Sequence, residues 1–187
     1  MTYLLGLGSN LGRRAANLAR ARRWLERKGV RILRASSTYE TEPVDYRDQP
    51  WFLNQALEVR TALRPRELLG LVRSIEAQMK RAVGVLKGPR IIDIDILLAG
   101  DLVLETPDLI IPHPRLHLRN FVLVPLAEIA PRRRHPVLGR TLGALALASD
   151  DPSEVKIGRS SRGPAVPRTR RRSARGGNPP ARGTGSR

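Results

Sequence analysis

The stretch GPRIIDIDILLAG, residues 88–100, limits what this chain can fold into more than any other. Its apolar residues are spaced for burial, yet aspartates stand at 93 and 95. Alternation with period two predicts a strand with Ile92, Ile94, Ile96 and Leu98 on one face. The other face then carries Ile91, Asp93, Asp95 and Leu97. Both carboxylates point the same way, about 7 Å apart along the strand. Two like charges at that spacing on a half-buried face repel, and burying them uncompensated is costly. A fold that keeps this strand must bring positive charge to the face with the aspartates.

The flanking segments supply the rest of a sheet. YLLGLG (3–8) reads as a short buried strand ending in a Gly-rich turn. Leu11, Ala15, Leu18 and Leu25 follow at helical spacing, and Gly29 is placed to end that helix. Residues 30–41 predict a second strand and 42–50 a loop. Residues 51–63 predict a third strand, with Phe52, Asn54, Ala56, Glu58 and Arg60 on one face. Pro65 opens a second helix whose apolar stripe is Leu68, Val72, Ile75 and Met79. After a loop at 82–89 come the aspartate strand, a hairpin at 102–111, a Pro-His-Pro turn at 112–114 and a helix near 119–129. The order β-α-β-β-α-β predicts an α+β fold, a three-layer sandwich whose mainly antiparallel sheet has a ferredoxin-like core and helices on its faces.

The 187 residues suit one domain with a real core. With no cysteine, neither a disulfide framework nor a thiolate metal site is available. No apolar run is long enough to span a membrane and the N-terminus lacks a signal-peptide pattern, so a cytoplasmic protein without a membrane partner is expected. The net charge of +17 directs attention to nucleic acid, but it is uneven. Residues 150–187 hold 10 Lys and Arg against 3 Asp and Glu, and they are rich in Pro, Gly and Ser. Such a segment buries too little surface to offset ordering, so a disordered basic tail after a domain at 1–149 is expected. The tail could hold RNA through counterion release, which makes an RNA-binding protein with a scaffold domain the rival reading. Against it stands the acidic pair, which repels phosphate unless a cation intervenes.

The motifs divide by how much they say. GLGSNLG (6–12) has neither the G-x-G-x-x-G spacing of a dinucleotide site nor a Walker pattern, and by itself reads as a tight turn with a capped helix. Asp93 and Asp95 suit a hard cation with oxygen ligands, such as magnesium shared with substrate phosphates. IPHPRLHLRNF (111–121) gathers His113, Arg115, His117, Arg119 and Phe121 near a turn. Taken singly, His117 is structural, the arginines are solvated, and Phe52 and Phe121 are core residues.

Together, GLGSNLG, SSTYETEPV, QPWFLNQALEV, GPRIIDIDILLAG and IPHPRLHLRNFVLVPLAEIAP resemble the 6-hydroxymethyl-7,8-dihydropterin pyrophosphokinases over about residues 2–145. The resemblance implies transfer of pyrophosphate from ATP to the pterin hydroxymethyl group in folate biosynthesis, with ATP as co-substrate, and dihydropterin and ATP as the small-molecule partners of a monomer. It implies two Mg2+ ions held at Asp93 and Asp95, and ATP contacts from Glu76, Arg90, Ile96, His113 and Arg119. It also implies a pterin stacked between Phe52 and Phe121, paired with Asn54, and met by Thr41 and the backbone around Pro43 and Val44. Gly8, Ser9 and Asn10 would form the turn beneath the site. One segment departs from the family pattern: AVGVLKGP (82–89) is poor in arginine, which leaves Arg81, Lys87 and Arg90 as the nearby cations, with Arg81 and Arg90 expected to act in catalysis.

Overall fold

The computed structural model describes residues 1–44, 48–79 and 88–158. Its centre is β1 (Thr2–Ser9), which pairs antiparallel with β4 (Phe52–Arg60) on one side and β5 (Asp93–Ala99) on the other. Both β2 (Arg31–Ala35) and β3 (Tyr39–Thr41) pair with β4, and β3 also pairs with β8 (Val155–Ile157). The sheet therefore runs β5-β1-β4-β3-β8. A separate hairpin joins β6 (Leu104–Thr106) to β7 (Leu109–Ile111). This is the expected α+β architecture.

Alternation along the strands sends side chains to two different cores. Tyr3, Leu5, Leu7, Leu57, Val59, Ile94 and Ile96 pack against α1 (Arg14–Arg27) and α2 (Pro65–Gln78). Helix α1 has no side-chain cap and no acidic residue in its first turn. It is held by burial of Leu18, Ala21 and Leu25, each buried leucine contributing about 1.5–3 kcal/mol. Leu4, Ala56, Leu97 and Leu98 face the other way, against α3 (Asn120–Ile129) and the short α4 (Leu142–Leu147). Those helices cover the part of the face around Leu4 and Leu98; the part around Gly8 and Asp93 opens into a cleft.

Four expectations need correcting. Leu98 does not share a face with Ile94 and Ile96: Leu5 stands opposite Ile96 and Leu4 opposite Leu98, so Leu97 is an extra residue and the alternation shifts at a bulge. Residues 30–41 form two strands, because Ser36 leaves the ladder and its hydroxyl accepts from Ala56 N at 2.9 Å. GLGSNLG does not lead into a capped helix: the N-cap of α1 is Arg13, without a side-chain bond, and strand β1 runs through Ser9. The boundary at 149/150 is also too early, since residues 155–157 add a strand to β3. The expected disorder of the rest of the tail falls on residues 159–187, outside the described residues.

Candidate active site

The sheet register builds the floor of the cleft. Gly8 pairs with Asp93 on one side and Asn54 on the other, and Gly6 pairs with Asp95 and Ala56. Asp93, Gly8 and Asn54 thus form one row across three strands, about 10 Å from end to end. A glycine in the middle keeps that row open. A Cβ on Gly8 would lie 2.7 Å from Asn54 Oδ1, and one on Gly6 would press on Leu97 at 3.2 Å.

At the aspartate end, the required positive charge is Arg90, whose Nη1 donates to Asp93 Oδ2 at 2.7 Å. Asn10 fixes the backbone there: its Oδ1 accepts from Arg90 N at 2.7 Å, while its Nδ2 donates to Gln49 Oε1 and Pro50 O. Asn10 thus ties two loops together by its side chain, while Ser9 Oγ accepts from Asn17 Nδ2 of α1 at 3.1 Å. Asp95 receives less compensation. Burial, then the carboxylates of Asp93 and Glu76, push its pKa up to about 7, against the opposing pull of Arg90 and Arg119. His113 goes the other way, held at about 4 by burial and then by Arg119 and Arg115, so it is neutral near pH 7. Its Nδ1 accepts from Arg115 N at 3.2 Å, which leaves the ring proton on Nε2.

At the other end stand two aromatic rings, each with a guanidinium over it. Arg90 lies 5.8 Å from the Phe52 ring centre and Arg119 lies 5.3 Å from that of Phe121. Asn54 Nδ2 donates to Thr41 Oγ1 at 2.7 Å in a buried bond, which fixes the orientation of the Asn54 amide. Pro43 and Val44 complete this wall of a cavity of about 220 Å³.

The cavity therefore brings together Thr41, Pro43, Val44, Phe52, Asn54 and Phe121 with Arg90, Asp93, Asp95, His113 and Arg119. Two expected ATP contacts are not in its wall. Ile96 is buried in the α1/α2 core, because its place in the alternation turns it away from Asp95. Glu76, also buried, accepts from Ile94 N at 2.9 Å, satisfying a backbone donor on the sheet-edge strand β5. Arg81 and Lys87 lie outside the described residues. Arg115 and Gln49 line the cavity without having been assigned a role; Arg115 stands in the basic turn at 111–121, and Gln49 opens the segment QPWFLNQALEV. His117 stays structural, meeting the His135 ring edge to face at 5.8 Å.

Residues 4–131 match the family described as 7,8-dihydro-6-hydroxymethylpterin-pyrophosphokinase. The chain belongs to this family. A 2-amino-4-hydroxy-6-hydroxymethyldihydropteridine pyrophosphokinase of Bacillus subtilis is 48% identical over 126 residues, 67% of this chain and 75% of the relative. One of the same description from Methylorubrum extorquens is 44% identical over 153 residues, 81% of this chain and 95% of the relative. Among solved structures, a Plasmodium falciparum HPPK-DHPS triple mutant with pteroate matches with a TM-score of 0.61 at 21% identity, which supports the fold. The match covers 78% of this pyrophosphokinase chain and 42% of that longer one. Among the described residues, no helix is long and apolar enough to cross a membrane.

Proposed function

We propose that this cleft transfers pyrophosphate from ATP to 6-hydroxymethyl-7,8-dihydropterin, releasing AMP and the pterin diphosphate. The activity is that of the family and belongs to folate biosynthesis. The observation that carries the assignment to this cleft is the row Asp93–Gly8–Asn54. It sets an acidic pair and an amide wall at opposite ends of a glycine floor, with aromatic rings beside the amide.

The pterin fits the ring-lined end. Phe52 and Phe121 offer apolar faces to a flat heterocycle. Because Asn54 Nδ2 is engaged by Thr41, its Oδ1 is the atom left to accept from a ring N–H or amino group. The backbone near Pro43 and Val44 offers further partners along the same wall. The triphosphate fits the basic end, where Arg115 and Arg119 supply positive charge and His113 presents an uncharged Nε2–H donor. Arg90 stands between the two ends, on Asp93 and above Phe52, placed to follow charge that develops as the phosphate is transferred.

The donor set suits magnesium. Asp93 and Asp95 are hard oxygen ligands, and the raised Asp95 pKa marks negative charge that a cation would relieve. Among the described residues no third His, Cys, Asp or Glu completes a cage, which leaves positions for substrate phosphates and water. Two ions, as the resemblance implies, would share these carboxylates. Bound there, magnesium neutralises charge on the α- and β-phosphates. The protein's own residues hold the hydroxymethyl group in line by stacking the ring and clamping the phosphates, so no covalent nucleophile is needed.

An assay of ATP, hydroxymethyldihydropterin and purified protein tests this directly. AMP should form one for one with pterin diphosphate, only with a divalent cation, and stop on chelation. Release of ADP, or AMP formation without pterin, would overturn the reading.

A further inference from the structure

Residues 151–158 lie outside the matched range 4–131, yet they contact both walls of the cleft. At one end, Asp151 grips the first residue of α3. Its Oδ2 accepts from Asn120 N and its backbone oxygen from Asn120 Nδ2, both at 2.7 Å. Helix α3 has no side-chain cap of its own at Arg119 and no acidic residue in its first turn, so this carboxylate serves the N-terminal end of the helix from a distant part of the chain. The residues on either side of Asn120 are Arg119 and Phe121, both in the cavity wall, with the guanidinium 5.3 Å from the ring centre. Ser153 N donates back to Asp151 Oδ1 at 2.9 Å, which orients the carboxylate.

The same segment then crosses to the opposite wall. Val155 pairs with Thr41, and Glu154 O accepts from Glu42 N at 3.2 Å. Lys156 Nζ sits 5.1 Å from the Trp51 ring centre and 2.7 Å from Glu154 Oε1. Thr41 is the partner that orients Asn54.

We propose that Asp151 is a positioning residue for pyrophosphoryl transfer. By fixing the first turn of α3 it holds the Arg119 guanidinium and the Phe121 ring at the spacing that ATP and pterin need, and residues 154–156 fix the facing wall against the same strap. This rests on the roles given above to Arg119 and Phe121. Losing Asp151 lowers the fraction of molecules with a formed cleft; bound substrates restore it, so affinity suffers more than chemistry does.

The test compares full-length wild type, Asp151→Ala and Asp151→Asn well below their melting temperatures. Asp151→Ala should raise KM for both substrates about tenfold, the scale of a lost helix cap, with kcat within about twofold. Asp151→Asn keeps an acceptor for Asn120 N and should recover most of the loss. Amide exchange at Asn120, Phe121 and Val122 without substrates should quicken in Asp151→Ala and return toward wild type in Asp151→Asn. A lower melting temperature with unchanged KM would show a purely structural role and overturn the proposal, as would unchanged exchange at residues 120–122. Wild-type protein inactive on ATP and pterin would overturn the functional reading instead, a result the exchange measurement does not depend on.

Discussion

A Cβ at position 8 would lie 2.7 Å from Asn54 Oδ1, closer than real Cβ atoms come to a neighbour, and its next nearest contact would be the Phe52 ring at 3.6 Å. Gly8→Ala therefore pushes on the amide wall and leaves the arginines alone. We expect pterin affinity to fall about tenfold or more, the cost of one displaced buried hydrogen bond, with affinity for an ATP analogue within about threefold. Calorimetric titration of each ligand separates the two. Asp95 makes a prediction about pH. Its folded pKa of about 7 lies above the ordinary 3.8, so the metal-free native state holds an extra proton between those values and loses stability as pH rises through them. His113, held at about 4 against an ordinary 6.5, acts with the opposite sign and adds stability as pH climbs from 4 to 6.5. Above pH 6.5 the Asp95 effect stands alone. The metal-free Tm should fall from there towards pH 8, Asp95→Asn should flatten that fall while abolishing turnover, and Mg2+ should raise Tm more at pH 8 than at pH 6. A flat wild-type Tm above pH 6.5 would contradict this account of the acidic pair.

Among the elements, β5 depends on a partner outside the sheet. It has β1 on one side only, and Ile94 N, pointing away from β1, is satisfied by Glu76. Glu76→Ala leaves that donor buried and unpaired and should cost about 1–3 kcal/mol. Glu76→Gln keeps an acceptor oxygen and removes a negative charge from beside Asp95, so it should match or exceed wild-type stability. Urea melts of both variants decide it: equal losses would mean that the charge, not the acceptor, is what β5 needs. How much of this was legible in the sequence follows from the same physics. Strands β1, β4 and β5 and helices α1 and α2 announce themselves because burial on one face imposes a period on their own residues. The bulge at Leu97 does not, since it exists only in the register with β1. Glu76 entered only through the resemblance to the family, and the backbone donor it meets on β5 is invisible in a sequence. Phe52, Asn54, Asp93 and Asp95 share one cavity wall, and period-two alternation along their strands already fixes the face they occupy. Strand β8 was missed because Val155-Lys156-Ile157 is too short to show a period, and its pairing is decided by β3.

For the molecule as a whole, the family match ends well short of the last strand. Beyond its grip on the cleft, β8 closes off the backbone of β3 at that end of the sheet. A chain cut before Val155 would leave the outward backbone groups of Thr38 and Glu40 without their partners Gly158 and Lys156. An uncovered strand of this kind is a template for a neighbouring polypeptide. The shortened protein should therefore self-associate edge to edge, or exchange strands with full-length copies, and its elution volume in size-exclusion chromatography should move with concentration while that of the chain ending after Gly158 does not. Seen this way, the three residues of β8 serve as a guard against promiscuous β-pairing.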